Sequence, residues 1–307
     1  MTKDSKKIVY MGTPLYAREI LEALIRADDM DVKLIFTQPD RPVGRKRVLT
    51  PPPVKELAVE HGISVLQPER LREDGIAKII ADTEPDFIIV AAFGQILPKD
   101  ILDIAPCINL HASILPQYRG ASPIQQTLLH GDRVTGVTAM LMEEGLDTGD
   151  ILKVIEYEIP EDMRLHALTQ KLTEDAATLT LNTIREYDDL SPIPQDDNQA
   201  TLCKKIKKSD GEVDFSDAST IYSKYRAFEG WPGLFLSNGT KIDNIELVSS
   251  EKSCEPYKIL SFDGDSILVG CSRGILSVGT LQAPSKKPMS AKAYCNGRGL
   301  KSGDSII

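Results

Sequence analysis

Across residues 8–142 short apolar runs alternate with stretches of helical periodicity, and that alternation leaves few folds open. Ile8–Met11, Val32–Thr37, Ser64–Leu66, Asp86–Ala92, Cys107–Leu110 and Val137–Met142 read as strands. Between the first two, Ile20, Leu21, Leu24 and Ile25 recur at the three- and four-residue spacing of one helix face. Strands joined through helices cross over right-handed, so the expected fold is α/β, a Rossmann-like mostly parallel sheet with helices on both faces. Ligands of such sheets sit beyond the carboxyl ends of the strands, where strand order reverses. After a helical stretch over Leu165–Tyr187, the polar run Ser191–Thr201 carries two prolines and reads as a linker. Beyond it, Leu234–Leu236, Lys258–Ser261, Ser266–Val269 and Gly274–Val278 are short strand-like runs punctuated by Gly, Asn or Asp. The expected division is an α/β domain over 1–190, a linker over 191–204 and a small OB-like C-terminal β-barrel over 205–307.

A chain of 307 residues suits two such domains. No apolar run reaches the ~18 residues that a membrane helix needs. The polar start, MTKDSKK, leads straight into the first strand, so a cytoplasmic protein without membrane contact is expected. Five scattered cysteines with no CxxC pair point to reduced thiols. The net charge of −9 argues against a protein that coats nucleic acid. Its distribution qualifies that reading. Residues 1–200 hold 21 basic and 33 acidic side chains, whereas residues 201–307 hold 15 and 12, so a local basic patch can still meet a polyanion.

Gly12-Thr13-Pro14 follows the first strand, where a dinucleotide-binding turn would lie. The GxGxxG spacing is absent, and a tight turn with proline at the first helical position explains the tripeptide better. The dense constellation is CINLHASILPQYRG, residues 107–120, together with LDTGD, residues 146–150. Asn109 and His111 lie two apart at a predicted strand end, so alternation points both to one face. A carboxamide donor beside an imidazole suits the tetrahedral intermediate of acyl transfer: the amide meets the oxyanion and the imidazole moves a proton. Asp147, in a polar loop after another predicted strand, is placed to orient His111 and fix its tautomer. Cys107 reads as a core residue rather than a nucleophile. The four histidines do not cluster, and no metal is expected.

NLHASILPQYRGASPI followed by GVTAMLMEEGLDTGDIL resembles the active-site signature of the folate-dependent formyltransferases. The similarity extends through TQPDRPVGRKRVLTPPPVK, AAFGQILP, FEGWPG and KKPMSAKAYCNGR, from Lys7 to Lys301, and is greatest to members acting on aminoacyl-tRNA. The resemblance implies transfer of a formyl group from 10-formyltetrahydrofolate, the co-substrate, to the amino group of methionine esterified to initiator tRNA. It places Asn109, His111 and Asp147 in catalytic roles. It places Ser113, Ile114, Leu115 and Pro116, with Phe93, Gly94, Gln95, Ile96 and Leu97, against the folate; Ile114 stands where the family usually has Leu. It also makes the run Arg41, Arg45, Lys46 and Arg47, expected as an extended loop, a tRNA contact. Lys204, Lys205, Lys207 and Lys208 form a second basic patch, and Lys286 and Lys287 belong to a third. A monomer is expected. The alternatives are a sugar-nucleotide formyltransferase, a formyltetrahydrofolate hydrolase or a non-catalytic tRNA-binding protein. The basic loop and Thr138-Ala139-Met140, where purine-pathway relatives carry His after Thr, favour tRNA.

Overall fold

Residues 5–44 and 46–307 are described by a computed structural model. They form two compact units. The first gathers the chain through Pro123 with Val134–Ile159 and Leu168–Lys204; the second gathers Ile124–Arg133, Pro160–Ala167 and Lys205–Ile307.

The first unit holds a seven-stranded sheet in the order Ile151–Glu158, Val134–Leu141, Cys107–His111, Phe87–Ala91, Lys6–Gly12, Met30–Phe36, Val65–Leu66. The last five of these are mutually parallel, and the first two close one edge antiparallel. The architecture is the expected Rossmann-like α/β fold. Its Phe87–Ala91 strand is buried at every position, which is why it reads as an unbroken apolar run. The edge strand Ile151–Glu158 was not foreseen. It alternates exposed Glu156 and Glu158 with half-buried positions, as a strand with one wet face does. The helix expected to reach Tyr187 ends at Arg185, and Tyr187–Asp189 forms a single 3₁₀ turn.

One core cluster joins Val9, Met11, Leu34, Phe36, Ile88 and Val90 from the central strands with Phe93, Leu97 and Ile101. Fully burying a side chain of this size stabilises by about 1.5–3 kcal/mol. Strand order diverges in both directions from Lys6–Gly12, so the switch point lies between it and Phe87–Ala91. Across that crevice the Thr13 hydroxyl donates to the Phe93 carbonyl at 3.2 Å. A Cβ on Gly12 would lie 2.6 Å from the Ala17 Cβ and 3.0 Å from the Ala91 carbonyl oxygen, so this glycine serves close packing. Pro14, expected at the first helical position, is instead the N-cap of Leu15–Arg26.

The second unit holds antiparallel strands in the order Leu234–Phe235, Lys241–Ser249, Ile275–Gln282, Ser266–Gly270, Ile259–Asp263, with Met289–Ser290 also against Ile275–Gln282. This is the strand content expected of a small barrel domain. Lys241–Ser249 escaped the sequence reading because only Ile242 and Ile245 in it are buried. Among the described residues, no helix is long and apolar enough to cross a membrane.

Candidate active site

The strand Cys107–His111 lies between the parallel Phe87–Ala91 and the antiparallel Val134–Leu141. All five of its residues are buried. Asn109 stands opposite Val90 and Met140, and His111 opposite Thr138. The two side chains converge on one carboxylate. Asn109 Nδ2 donates to Asp147 Oδ1 at 3.3 Å, and His111 Nδ1 lies 3.7 Å from Asp147 Oδ2. The Gly120 N–H donates to that same Oδ2 at 2.8 Å. Asp147 takes φ +53°, in the left-handed region that aspartate tolerates better than most side chains. Its loop is folded on itself, with the Thr148 hydroxyl donating to Glu143 at 2.6 Å. The three residues expected to act together are therefore brought together.

His111 Nε2 lies 2.9 Å from the Tyr118 carbonyl oxygen. A carbonyl only accepts, so Nε2 carries the proton and Nδ1 is the nitrogen presented to Asp147. The Tyr118 carbonyl therefore orients the ring from one side, and Asp147, expected to orient it, faces the other nitrogen. Thr138 braces the neighbouring turn, its hydroxyl donating to the Ser113 carbonyl at 2.7 Å and accepting from the Leu115 N–H at 3.1 Å. The Ser113 hydroxyl is itself committed to the Gln117 carbonyl at 2.6 Å. Ser113 and Leu115 are buried, and Ile114 and Pro116 are half-buried.

In the segment Phe93–Leu97, Phe93 and Leu97 belong to the core cluster, while Gly94 and Ile96 are exposed. Gln95 accepts from the Leu71 N–H at 3.0 Å and donates to the Pro68 carbonyl at 3.2 Å, so it tethers a neighbouring loop. Beside them lies a hollow of about 510 Å³, walled by Leu102, Met142, Glu143, Glu144 and the Lys99–Asp103 ion pair. Leu102 and Met142 pack on the same cluster as Phe93 and Leu97, so one wall of the hollow is anchored in the core. Burial pushes the Cys107 thiol up to about 12 and raises that of Cys203, so neither is a ready thiolate. Among the described residues, no group of three His, Cys, Asp or Glu is placed to hold a metal ion.

The basic run is extended rather than helical, and its two arms are paired. Arg41–Val43 and Val48–Thr50 pair antiparallel as a hairpin, because β-branched and leucine residues flank the turn at Gly44. Arg41, Lys46 and Arg47 are exposed, while Arg45 lies outside the described residues. Val43, Val48 and Leu49 are exposed on the same hairpin. Lys204, Lys205, Lys207 and Lys208 are exposed, as are Lys286 and Lys287 on the turn before Met289–Ser290. Tyr118, Gly120 and Thr138 were missed as supports of the site. Two of them act through backbone atoms, which side-chain chemistry does not announce.

Residues 6–184 match the formyl transferase family, and residues 205–299 match the formyl transferase C-terminal domain. A methionyl-tRNA formyltransferase of Sulfurovum sp. is 66% identical over 301 residues, covering 98% of this chain and 99% of the relative. One of Sulfurimonas denitrificans is 53% identical over 300 residues, covering 98% and 99%. Among solved structures, an N-formyltransferase from Helicobacter canadensis, in complex with folinic acid and dTDP-3-aminofucose, superposes with a TM-score of 0.64. It is 17% identical to this chain, covers 89% of it, is itself covered to 98%, and so bears on the fold alone.

Proposed function

This chain belongs to the methionyl-tRNA formyltransferase branch of the formyl transferase family, and from that premise we propose that Asn109, His111 and Asp147 carry its chemistry. The reaction moves the formyl group of 10-formyltetrahydrofolate onto the amino group of methionyl-tRNA, with initiator tRNA as the working substrate. The observation that carries the site assignment is the convergence of Asn109 and His111 on Asp147, at the end of a buried strand. The hollow between Lys99–Asp103 and Met142–Gly145 is the place for the co-substrate. The hollow's volume is within the ~300–1,000 Å³ of small-molecule sites; its lining is mostly polar, with Glu143 and Glu144 to accept from N–H donors and Leu102 and Met142 to touch a flat ring. On this reading Leu102, Met142, Glu143 and Glu144 hold the pterin, with Ser113–Pro116 and Phe93–Leu97 shaping the site.

Bound folate supplies an electrophilic formyl carbon; the protein supplies donors and a proton path. Asn109 turns an amide N–H toward the formyl oxygen, which gains negative charge as the methionyl amine attacks. Such a donor acts most strongly in a water-poor site, and Asn109 is 8% exposed. His111 takes the amine's proton at Nδ1 and returns it toward the departing folate nitrogen. Asp147 Oδ2, 3.7 Å away, holds the imidazolium while the proton is in transit. No covalent acyl-enzyme is needed. The decisive assay offers the enzyme 10-formyltetrahydrofolate with charged initiator tRNA beside an amino-sugar nucleotide. Formyl is expected on the methionine alone; formylation of the sugar alone would overturn the substrate assignment.

Residues 1–190 are read as the catalytic domain and 205–307 as a tRNA-contacting domain, in a monomer that works in the cytoplasm. The exposed cations of the Arg41–Thr50 hairpin, with Lys204, Lys205, Lys207, Lys208, Lys286 and Lys287, meet the polyanion. Neutralising Arg41, Arg45 and Arg47 together is expected to weaken tRNA binding. It is also expected to flatten the dependence of log K on log salt by about one unit for each phosphate left without its cation. An unchanged binding curve would return the hairpin to an ordinary solvated surface.

A further inference from the structure

We propose that Gln195 is a positioning residue for formyl transfer, and that Ile193–Cys203 is a strap that holds both catalytic segments in register. The inference rests on the reading that Asp147 and His111 carry the chemistry. It stands on the hydrogen bonds of a stretch whose prolines and polar residues look like a linker.

The Gln195 amide is used at both ends. Its Nε2 donates to the backbone carbonyls of Asp147, at 3.0 Å, and Gly149, at 2.7 Å. Its Oε1 accepts from Arg119 Nε at 3.0 Å and Nη2 at 2.8 Å. Arg119 is buried, and its Nη2 also donates to Asp197 in the strap at 2.8 Å. Only a carboxamide satisfies both sides, since a carboxylate would set an oxygen against two carbonyls and an ammonium could not accept from arginine. The strap's ends are pinned as well. Ile193 and Ile151 exchange two backbone hydrogen bonds, of 2.8 and 2.9 Å. Leu202–Cys203 runs parallel to Arg119–Gly120, and the Thr201 hydroxyl accepts from the Tyr118 N–H at 2.8 Å.

These pins flank the atoms that build the site. The Tyr118 carbonyl holds His111 Nε2, and the Gly120 N–H holds Asp147 Oδ2. Asp147 stays at positive φ only while its surroundings over-determine it, and Gln195 grips its carbonyl directly. The strap therefore sets the distance between imidazole and carboxylate through hydrogen bonds to the backbone that carries them.

The test compares Gln195→Glu, Gln195→Leu and Asp147→Asn in the full-length chain, by steady-state formylation and by NMR of ¹⁵N-histidine-labelled protein. Gln195→Glu keeps an acceptor for Arg119, so the fold is held while the two donors are removed. Misplacement on the scale of 1 Å costs about 10²-fold, so kcat is expected to fall about 10–100-fold in both Gln195 variants. KM for each substrate should stay within twofold, and the His111 imidazole signals should move while those of the exposed His130 and His166 do not. If Asp147→Asn loses activity but Gln195→Glu keeps wild-type kcat and wild-type His111 signals, the positioning role is overturned. If Asp147→Asn itself turns over normally, the catalytic reading beneath it falls instead.

Discussion

His111→Ala is expected to lose about 10²–10⁴-fold in kcat, the usual range for removing a group that transfers protons in the transition state. The Tyr118 carbonyl holds His111 Nε2, so Nδ1 is the atom whose removal the assay reads. Folding should survive. The Tyr118 carbonyl keeps the weak Cys203 thiol donor at 3.2 Å, and removing one neutral hydrogen bond costs about 1 kcal/mol against the 5–15 kcal/mol typical of a whole domain. Binding of tRNA should be nearly unchanged, because His111 is 6% exposed and is not among the exposed cations. Transfer of labelled formyl to methionyl-tRNA, read beside a melting curve, checks both halves. Turnover within threefold of wild type would remove His111 from the mechanism.

Much of this arrangement was legible in the chain because it rests on regular periodicities. Asn109 and His111 share a face since a strand alternates, and Phe87–Ala91 announced itself as a run with no polar break. The edge strand Ile151–Glu158 and the long Lys241–Ser249 lack that density, as each has a wet face and is stabilised by its partners rather than by its own composition. The Arg41–Thr50 hairpin was obscured by Pro42, by the prolines that follow Thr50 and by the run of charges between its arms. Gln195 carried no signal at all, since an amide between a proline pair and an acidic run has the composition of a loop whether or not it grips a buried arginine. The role of Tyr118 was likewise hidden, because it is exercised through a carbonyl that every residue possesses.

Gly120→Ala is expected to cost at least about 3 kcal/mol and to lower kcat at least tenfold. Gly120 has φ +120°, a conformation essentially closed to other residues, and a Cβ built there would lie 2.3 Å from the Cys203 carbonyl oxygen. That clash is with backbone, so neither partner can swing aside. Relief requires parting the Arg119–Gly120 and Leu202–Cys203 strands, which withdraws the N–H that accompanies Asp147 Oδ2. Stability and activity should therefore fall together, unlike in His111→Ala. A denaturant midpoint and a formylation rate on the same preparation separate the two cases. A cost below 1 kcal/mol with normal turnover would show that the close approach is dispensable.

Where the chain is cut then decides what a transplanted piece is worth. A fragment ended at residue 190 would carry Asn109, His111 and Asp147 but none of the residues from 193 to 203 that brace them. Anyone grafting this chemistry onto a different recognition module should make the junction beyond Lys204, so that the graft brings its own scaffolding.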